Sequence, residues 1–499
     1  MLYQSTRDRN IVVESAFAIT HGIAPDGGLF VPQEKPVLKT DDILKLSGLN
    51  YNARAVEILK LFLTDFTEDE IKECVDKAYN KEKFETESIA PIYKLNENTY
   101  FLELWHGPTC AFKDMALQIL PHLLIKSVHK TGENSEIVIL VATSGDTGKA
   151  ALEGFKDVDG TKIIVFYPDD GVSEIQKLQM VTQEGNNVLV AAIEGNFDDA
   201  QSGVKAIFAD EAYAEQLAKK NYKFSSANSI NWGRLVPQII YYFSAYAELY
   251  KNEEIKAGEK INIVVPTGNF GNILAAYYAK EMGLPVHKLI CASNENNVLT
   301  DFIQTGVYNK NRTFKTTASP SMDILISSNL ERFLFDVTGH DHARIRQWMQ
   351  ELNETGTYIV PEITKQKIKE IFWAGYCNDE ATFKTIKEVE ENYSYVMDTH
   401  TAVGKNVYDQ YVQETGDLTK TVIASTASPF KFNKSVLYAL EGQEAVEGKS
   451  EFELLEILSK KSGLRIPKAL AELRNKEIRY DIKCKKDEMK DVISKMLNI

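Results

Sequence analysis

The sequence predicts an α/β protein whose parallel sheets are covered by helices on both faces. Three observations support this. From residue 97 short apolar strands alternate with helical segments, glycine-rich loops join strands to helices, and the same unit recurs after residue 260. A strand, a short glycine-rich loop, a helix and a second strand are together typical of a parallel sheet. With 499 residues, the chain has room for two or three domains.

Residues 1–92 have a different pattern, which predicts an N-terminal helical region. Leucines and isoleucines recur at steps of three and four over residues 41–63, as on the buried face of a helix. The run from residue 22 to residue 30 is too rich in Gly and Pro for a helix or a central strand, so we expect a loop there.

Strands and helices alternate over residues 93–434, which form the expected main body, with a smaller subdomain at about 135–255. Strands are expected at 99–104, 136–142, 162–167, 188–193, 262–266, 286–292 and 421–424. Helices are expected at 112–130, 146–155, 173–183, 235–250 and 272–282. Residues 435–499 become rich in Lys and Glu with little apolar periodicity before 480–498, which predicts a C-terminal cap.

The charge balance excludes several classes of partner. The chain has 57 Lys and Arg against 71 Asp and Glu, a net charge of −14, and no basic run. It would repel a phosphate backbone or an anionic membrane, so we expect neither nucleic-acid nor membrane binding. The charged N-terminus shows no export signal, and five cysteines without a C-x-x-C pair fit reduced thiols in a cytoplasm. No metal site is expected.

One lysine stands out in the loop that follows the first expected strand of the main body. Lys113 lies between Phe112 and Asp114, where a turn containing His106, Gly107 and Pro108 enters a helix. A lysine held in this apolar setting loses hydration, its pKa falls, and its amine can act as a nucleophile. The alternative is a surface lysine beside a capping aspartate.

Two further loops follow strands and open helices. Residues 143–148 offer hydroxyls and glycines at a helix N-terminus, which suits a carboxylate or phosphate, although a helix cap would explain most of the pattern. Residues 266–272 contain glycines that let the backbone close around a phosphate. This loop matches neither a P-loop nor the dinucleotide fingerprint, so an NAD enzyme is not favoured.

Two other segments complete the set of candidate functional loops. A hydroxyl cluster, residues 425–429, follows the last expected strand, and residues 228–234 offer amides and Arg234, whose guanidinium fork fits a phosphate. His340 and His342 could suggest a metal, but a solvated face explains their spacing better. Three features together indicate a pyridoxal-phosphate site: a lysine that can form an imine, a glycine-rich loop that can bind a phosphate, and a hydroxyl cluster.

In order along the chain, these motifs resemble the threonine synthases, in the branch with a long N-terminal extension. The resemblance extends nearly end to end, apart from about the last fifty residues. Its motifs are Leu2-Tyr3 with Ser5-Thr6-Arg7, Asp26-Gly27-Gly28-Leu29-Phe30, His106-Gly107-Pro108-Thr109 with Phe112-Lys113-Asp114, Ser144-Gly145-Asp146-Thr147-Gly148, Asn228-Ser229-Ile230-Asn231, Gly268-Asn269-Phe270-Gly271-Asn272 and Ser319-Pro320-Ser321-Met322-Asp323-Ile324.

The resemblance implies a tryptophan-synthase-β-like fold, fold type II among pyridoxal-phosphate enzymes, and a role for each matching residue. Lys113 would hold pyridoxal 5'-phosphate covalently and move protons, and Thr426 would face the pyridine nitrogen. The residues that would bind the cofactor's phosphate are Gly268, Asn269, Phe270, Gly271 and Asn272. The residues that would bind the substrate are Ser144, Asp146, Thr147, Ser229, Asn231 and Arg234.

The implied activity is a lyase reaction that converts O-phospho-L-homoserine and water to L-threonine and phosphate, the last step of threonine biosynthesis. A phospholyase that releases a 2-keto acid, ammonia and phosphate is the alternative, and a non-catalytic relative would be expected to lack Lys113. We expect a cytoplasmic monomer or weak homo-oligomer. Two positions depart from related patterns: Ser428 replaces the usual histidine of the family, and Asp146 stands where relatives of other specificity have Asn.

Overall fold

Two parallel sheets, one in each of two lobes, organise the chain. The computed structural model describes residues 1–143, 145–169 and 172–499. The larger lobe is built on a six-stranded sheet and the smaller lobe on a five-stranded sheet. This arrangement confirms the predicted α/β class with parallel sheets.

The N-terminal region contains a small antiparallel sheet of order β2-β1-β3 and four helices. Its strands are β1 (Tyr3–Ser5), β2 (Val12–Val13) and β3 (Phe30–Pro32). Its helices are α1 (Ser15–His21), α2 (Thr40–Lys45), α3 (Tyr51–Phe62) and α4 (Glu68–Ala78).

The larger sheet has the order β14-β11-β10-β15-β5-β4 and is parallel except for β4, which pairs antiparallel with β5. The smaller sheet has the order β16-β8-β7-β6-β9 and is parallel throughout. A separate antiparallel pair joins β12 to β13. The remaining strands are β4 (Ile92–Lys94), β5 (Thr99–Glu103), β6 (Glu136–Ala142), β7 (Thr161–Pro168), β8 (Val188–Ile193), β9 (Tyr222–Ser225), β10 (Ile261–Pro266), β11 (Val286–Ser293), β12 (Val307–Asn309), β13 (Thr357–Ile359), β14 (Phe372–Tyr376), β15 (Thr421–Ser425) and β16 (Lys483–Cys484).

Helices cover both faces of each sheet. In chain order they are α5 (Asp114–Leu117), α6 (Leu120–Lys130), α7 (Asp146–Phe155), α8 (Glu174–Val181), α9 (Phe197–Phe208), α10 (Glu211–Lys219), α11 (Trp232–Leu235), α12 (Pro237–Lys251), α13 (Gly271–Glu281), α14 (Val298–Thr305), α15 (Leu330–Val337), α16 (His342–Glu354), α17 (Glu362–Ile371), α18 (Asp379–Tyr393), α19 (Thr399–Thr415), α20 (Asn433–Glu441), α21 (Glu451–Ser462), α22 (Lys468–Ala471) and α23 (Met489–Leu497). Within the described ranges, no helix combines the length and the apolar character needed to cross a membrane.

The hydrophobic cores follow the two faces of the sheets. In β6, Ile137 and Ile139 contribute to one core, which continues through the N-terminal helices and one face of the larger sheet. Val138 and Leu140 point to the other face, where helices including α9, α10 and α23 cover them. Successive residues of a strand point to opposite faces, so strands buried on both sides appear in the sequence as continuous apolar runs.

The helix expected at 112–130 is divided in two. Helix α5 ends at Leu117 and α6 begins at Leu120, with Pro121 in its first turn. A proline ring at position 121 clashes with the carbonyl group of residue 117 in a continuous helix, so the break occurs there. The Leu117 carbonyl oxygen instead faces Gly154 of α7, where a β-carbon would collide with it.

The helical pattern at 41–63 is confirmed and is divided into α2, a 3-10 turn and α3, because the Asn50 side chain accepts a hydrogen bond from the Ala53 N–H and starts a new helix. The expectation for the C-terminal cap was wrong in detail. The C-terminal cap has apolar helices well before residue 480. Leu454 and Leu458 of α21 are buried in the core beside the larger sheet, and β16 and α23 belong to the smaller lobe.

The close approach of α7 to α5 predicts the effect of Gly154→Ala. Alanine is the better helix former, but its β-carbon would collide with the Leu117 carbonyl oxygen, so we expect a loss of about 1–3 kcal/mol in the free energy of unfolding. Urea denaturation measures it. The matched control is Gly48→Ala, whose β-carbon meets no atom of the described residues within 4 Å and should change stability by less than about 0.5 kcal/mol. A Gly154→Ala chain as stable as this control would contradict the prediction.

Candidate active site

Loops from both lobes meet at the carboxyl ends of the parallel strands, where ligands bind in open α/β sheets. The loop after β5 lies against the loop after β15, because the Phe112 N–H donates to the Thr426 carbonyl oxygen at 2.8 Å and Ala111 bridges to Ala427. From the smaller lobe, the first residue of α7, Asp146, reaches the same place. The structure therefore brings Lys113, Asp146 and Thr426 together as the motifs predicted.

Lys113 is buried between the lobes, with its side chain only 10% exposed. Its Nζ lies 3.4 Å from Asp146 Oδ2 and 3.3 Å from Ser321 Oγ. Burial lowers the pKa of the Lys113 amine, the Asp146 carboxylate opposes that shift, and the cations of Lys431 and Arg234 add to it. The result is an amine that gives up its proton more readily than a surface lysine, as a nucleophile requires.

Asp146 accepts three hydrogen bonds and forms an ion pair with Lys431. Its Oδ2 is 2.9 Å from Ser321 Oγ besides the contact with Lys113, and its Oδ1 is 2.9 Å from Lys431 Nζ and 3.2 Å from Gln176 Nε2. Burial raises the pKa of the Asp146 carboxyl, but Lys431 and Lys113 outweigh burial and hold that pKa well below its usual range. Asp146 is therefore ionised, and its charge is balanced within the site.

Residues from a distant segment of the chain hold the backbone of the glycine-rich loop after β10 by hydrogen bonds. The Gly268 carbonyl oxygen accepts from Ser327 Oγ at 2.8 Å, and the Asn269 carbonyl oxygen accepts from Asn329 through its backbone N–H and its amide. A β-carbon at Gly268 would lie 2.8 Å from the Ser321 carbonyl oxygen, so this close packing requires glycine. Because Gly271 opens α13, the first N–H groups of that helix have no acceptor within the helix. Free N–H groups at a helix N-terminus suit a phosphate.

Two buried donors near this loop lack partners among the described residues. One is Asn272 Nδ2; the Asn272 Oδ1 atom accepts from the hydroxyls of Tyr241 and Tyr242. The other is Nε of Arg234, whose Nη1 donates to the Ala227 carbonyl oxygen at 2.8 Å. Burial lowers the pKa of Arg234 to about 10. Buried donors without partners cost free energy unless an acceptor satisfies them, so both fit a site that binds an anion.

The other residues expected to bind the substrate differ in whether their polar atoms are already used by contacts within the protein. Ser229 Oγ lies 3.4 Å from Ser328 Oγ, which in turn donates to Asn269 Oδ1, so this hydroxyl belongs to the site. Asn231 is buried and its amide is already used: Nδ2 donates to the Ile19 carbonyl oxygen and Oδ1 accepts from the Gly233 N–H. Asn231 therefore positions the turn that carries Arg234. Thr147 is half-buried in the first turn of α7, and Ser144 lies outside the described residues.

Ser428, where the family usually has histidine, caps a short helix. Its Oγ accepts from the Phe430 N–H at 3.4 Å, and its N–H donates to the Cys110 carbonyl oxygen at 3.0 Å. This 3-10 helix, Pro429–Phe432, presents Lys431 to Asp146. Sequence reasoning missed Lys431; the available signal was a single lysine between two phenylalanines directly after the hydroxyl cluster.

Sequence reasoning also missed the residues that hold the loops. The His400 Nε2 atom accepts from the Ser321 N–H at 3.1 Å, so the ring proton is on Nδ1 and is donated to Asp398. Arg332 is fully buried and donates to the carbonyl oxygens of Phe30 and Ile230 and to Asn329. It thereby joins two of the recognised motifs directly and, through Asn329, which donates to the Asn269 carbonyl oxygen, a third. No local pattern in the sequence marks it.

Comparison with known proteins gives matches over the whole chain. Residues 2–79 match the family model "Threonine synthase N terminus", residues 85–424 match "Pyridoxal-phosphate dependent enzyme", and residues 401–493 match "Threonine synthase, C-terminal". The threonine synthase of Methylobacillus glycogenes is 37% identical over 451 residues, which cover 88% of this chain and 92% of that protein. The chain belongs to the threonine synthase family.

Solved structures of the family agree with this assignment. The pyridoxal-phosphate-bound threonine synthase from Brucella melitensis is 35% identical, with a TM-score of 0.88 over 100% of this chain and 99% of that chain. This likeness confirms the expected fold type. The human protein "Threonine synthase-like 1" is 39% identical over 443 residues, and the match spans 59% of its length.

The pKa of Asp114 predicts a pH dependence of stability for this family member. Thr109 donates its N–H and its hydroxyl to Asp114, but burial raises the Asp114 pKa from 3.8 to about 6. Between these pH values the folded chain keeps a proton that the unfolded chain releases, so the free energy of unfolding falls as pH rises through this window. Asparagine does not titrate and can keep both contacts with Thr109.

We therefore expect Asp114→Asn to gain stability over the wild type by about 2–3 kcal/mol between about pH 4 and pH 6.5. Urea denaturation across this range measures the difference. The exposed Asp41→Asn is the control and should keep the wild-type pH profile. A constant difference between Asp114→Asn and wild type would contradict the prediction.

Proposed function

We propose that this chain is a threonine synthase that converts O-phospho-L-homoserine and water to L-threonine and phosphate with pyridoxal 5'-phosphate. The observation that carries the proposal is the buried Lys113 amine, with its lowered pKa, close to the buried and only partly bonded guanidinium of Arg234. The first suits covalent attachment of the cofactor, and the second suits a substrate phosphate.

The residues of the site fit the cofactor. Lys113 Nζ would attach to its aldehyde, and Thr426 would face its pyridine nitrogen. The Asn272 amide, which has an unpaired donor, and the loop from Gly268 to Gly271, with Asn269 and Phe270, would hold its phosphate. When bound, the cofactor supplies a ring that accepts negative charge from the neighbouring substrate carbons.

The chain's own residues would then bind substrate and move protons. Arg234 and Ser229 would hold the substrate phosphate, while Asn231 fixes the turn that carries Arg234. Thr147 and the N-terminus of α7, with Ser144, would hold the substrate carboxylate. The Asp146 carboxylate is ionised, so it favours a cation beside it and would stabilise the substrate's ammonium group or the proton on Lys113 Nζ.

Lys113 would carry the proton transfers. Its Nζ, neutral when released, would take the proton from the substrate α-carbon and return it later in the cycle. A second proton leaves the β-carbon, and the γ-carbon releases phosphate to Arg234 and then takes up a proton, which makes the methyl group. Water then adds its hydroxyl to the β-carbon and the α-carbon regains a proton, which gives threonine. Burial of the site excludes bulk water from the earlier steps.

The proposal also covers the organisation of the chain. It assigns residues 1–92 to the N-terminal region, 93–434 to the catalytic body with the smaller subdomain at about 135–255, and 435–499 to the C-terminal cap. Its partner is a small-molecule substrate, and we propose a cytoplasmic monomer or weak homo-oligomer.

Incubation of the full chain and pyridoxal 5'-phosphate with O-phospho-L-homoserine tests the activity. We expect threonine and phosphate in equal amounts, because water adds before the product leaves. Lys113→Ala should abolish turnover, and borohydride reduction of the wild type should place the cofactor label on Lys113. If 2-oxobutyrate and ammonia were the main products, the chain would be a phospholyase. A label on another lysine would refute the assignment of Lys113.

Arg234→Met tests the phosphate site. Charge-assisted hydrogen bonds contribute about 1.5–3 kcal/mol, so we expect kcat/KM for phosphohomoserine to fall roughly 10- to 150-fold, mainly through KM. The exposed Arg465→Met is the matched control and should leave kcat/KM unchanged. Urea denaturation should show a fold at least as stable, because methionine removes a buried charge that has no carboxylate partner among the described residues. An unchanged KM would show that Arg234 does not bind the phosphate.

A further inference from the structure

A second lysine, Lys431, lies beside Asp146. Its side chain is 0% exposed, and its Nζ forms an ion pair with Asp146 Oδ1 at 2.9 Å and donates to the Thr109 carbonyl oxygen at 2.8 Å. Both acceptors are close to the reactive lysine: Thr109 lies in the loop that leads to Lys113, and Asp146 contacts Lys113 directly. Lys431 is therefore part of the site, although it is not placed to attach the cofactor.

The position of Asp146 creates a chemical difficulty for Lys113. An ionised carboxylate beside a single buried lysine holds that lysine as an ammonium ion. An ammonium ion has no free electron pair and cannot attack an aldehyde. A site that keeps Asp146 ionised and also needs a neutral Lys113 requires another cation for the carboxylate.

The geometry shows how the carboxylate is shared. Lys431 Nζ lies 2.9 Å from Oδ1, whereas Lys113 Nζ lies 3.4 Å from Oδ2, which also accepts from Ser321 Oγ at 2.9 Å. The closer ion pair is made by Lys431. Its bond to the Thr109 carbonyl oxygen, and the Ser428 cap at the start of its short helix, keep it in place.

We propose that Lys431 is a positioning residue that balances the charge of Asp146 and so leaves Lys113 free to form its bond to the cofactor aldehyde. In that step the Lys113 nitrogen attacks the aldehyde carbon, the carbon–oxygen bond breaks, and the oxygen leaves as water with the two amine hydrogens. A carbon–nitrogen double bond remains. The proposal rests on the assignment of Lys113 in the proposed function.

The other charged groups around Lys113 agree with this role. Asp146 is the anion that faces it, and Lys431 and Arg234 are the cations that lower its pKa. Beyond Ser321, the His400 Nε2 atom accepts a hydrogen bond from the Ser321 N–H, and its Nδ1 atom lies 2.7 Å from Asp398 Oδ2. The balance at Lys113 Nζ therefore depends on Asp146 against Lys431 and Arg234.

A pH titration of the visible absorption band of the loaded full chain tests the proposal, because this band reports protonation of the Lys113 nitrogen. In Lys431→Met the carboxylate keeps Lys113 as its cationic partner but loses Lys431, so we expect the titration midpoint to rise by about one pH unit or more. In the double variant Asp146→Asn with Lys431→Met, the midpoint should fall below that of Lys431→Met. A purely structural role would not produce this reversal.

The matched control is Lys149→Met. Lys149 is also buried, and its ion pair with Glu153 lies along the same helix as Asp146, but it does not contact Lys113. The titration midpoint of Lys149→Met should equal that of wild type. An unchanged midpoint in Lys431→Met would overturn the proposal.

If Lys431→Met does not fold, a second comparison replaces it. Asp146→Asn and the double variant both lack the buried carboxylate, and they differ only in the cation at 431. We expect the double variant to have the higher midpoint, because it lacks the charge that repels a proton on Lys113. Equal midpoints would overturn the proposal. Threonine formation is scored separately: a shifted midpoint without threonine would refute the proposed function alone.

Discussion

The Asp146 carboxylate joins the two lobes at the point where the chemistry is expected. It begins a helix of the smaller lobe, yet three of its four polar partners, Lys113, Ser321 and Lys431, belong to the larger lobe. A buried ion pair gains little net stability, because desolvation offsets much of the attraction, but removing one partner leaves an expensive unpaired charge. The contact therefore fixes the relative position of the lobes and the proton affinity of Lys113 more than it stabilises the fold.

Local charge, and not the net charge of the molecule, determines what the site can bind. The chain carries a net charge of −14, so long-range attraction does not bring in a phosphate ester. Inside the site, Lys113 lies close to the carboxylate of Asp146 and to the cations of Lys431 and Arg234. Low dielectric and short distances make such local interactions much stronger than the screened field at the surface. An acidic protein can thus hold two phosphate groups in one cleft.

Much of the fold and the site could be predicted from the sequence, because the informative signals are local. Continuous apolar runs predicted the strands, and the segments after them contained Lys113, the glycine-rich residues 266–272 and Arg234. Other features depend on contacts between distant segments. Lys431 lies between two phenylalanines in sequence and Arg332 lies between Glu331 and Phe333, and only folding shows their partners. Asn231 has the right residue type for a ligand, but both ends of its amide are used by the protein.

The two-residue strand β16 has a consequence for how the chain folds during synthesis. Lys483 and Cys484 pair with Ala192 and Ile193 at the edge of the smaller sheet, and Met489 and Ile493 of α23 complete the core beneath it. These partners leave the ribosome long after β6, β7 and β8 do. Until then the edge of β8 and an apolar face stay uncovered, which are the features that favour aggregation. The smaller lobe thus reaches its complete core only when the C-terminal segment has been synthesised.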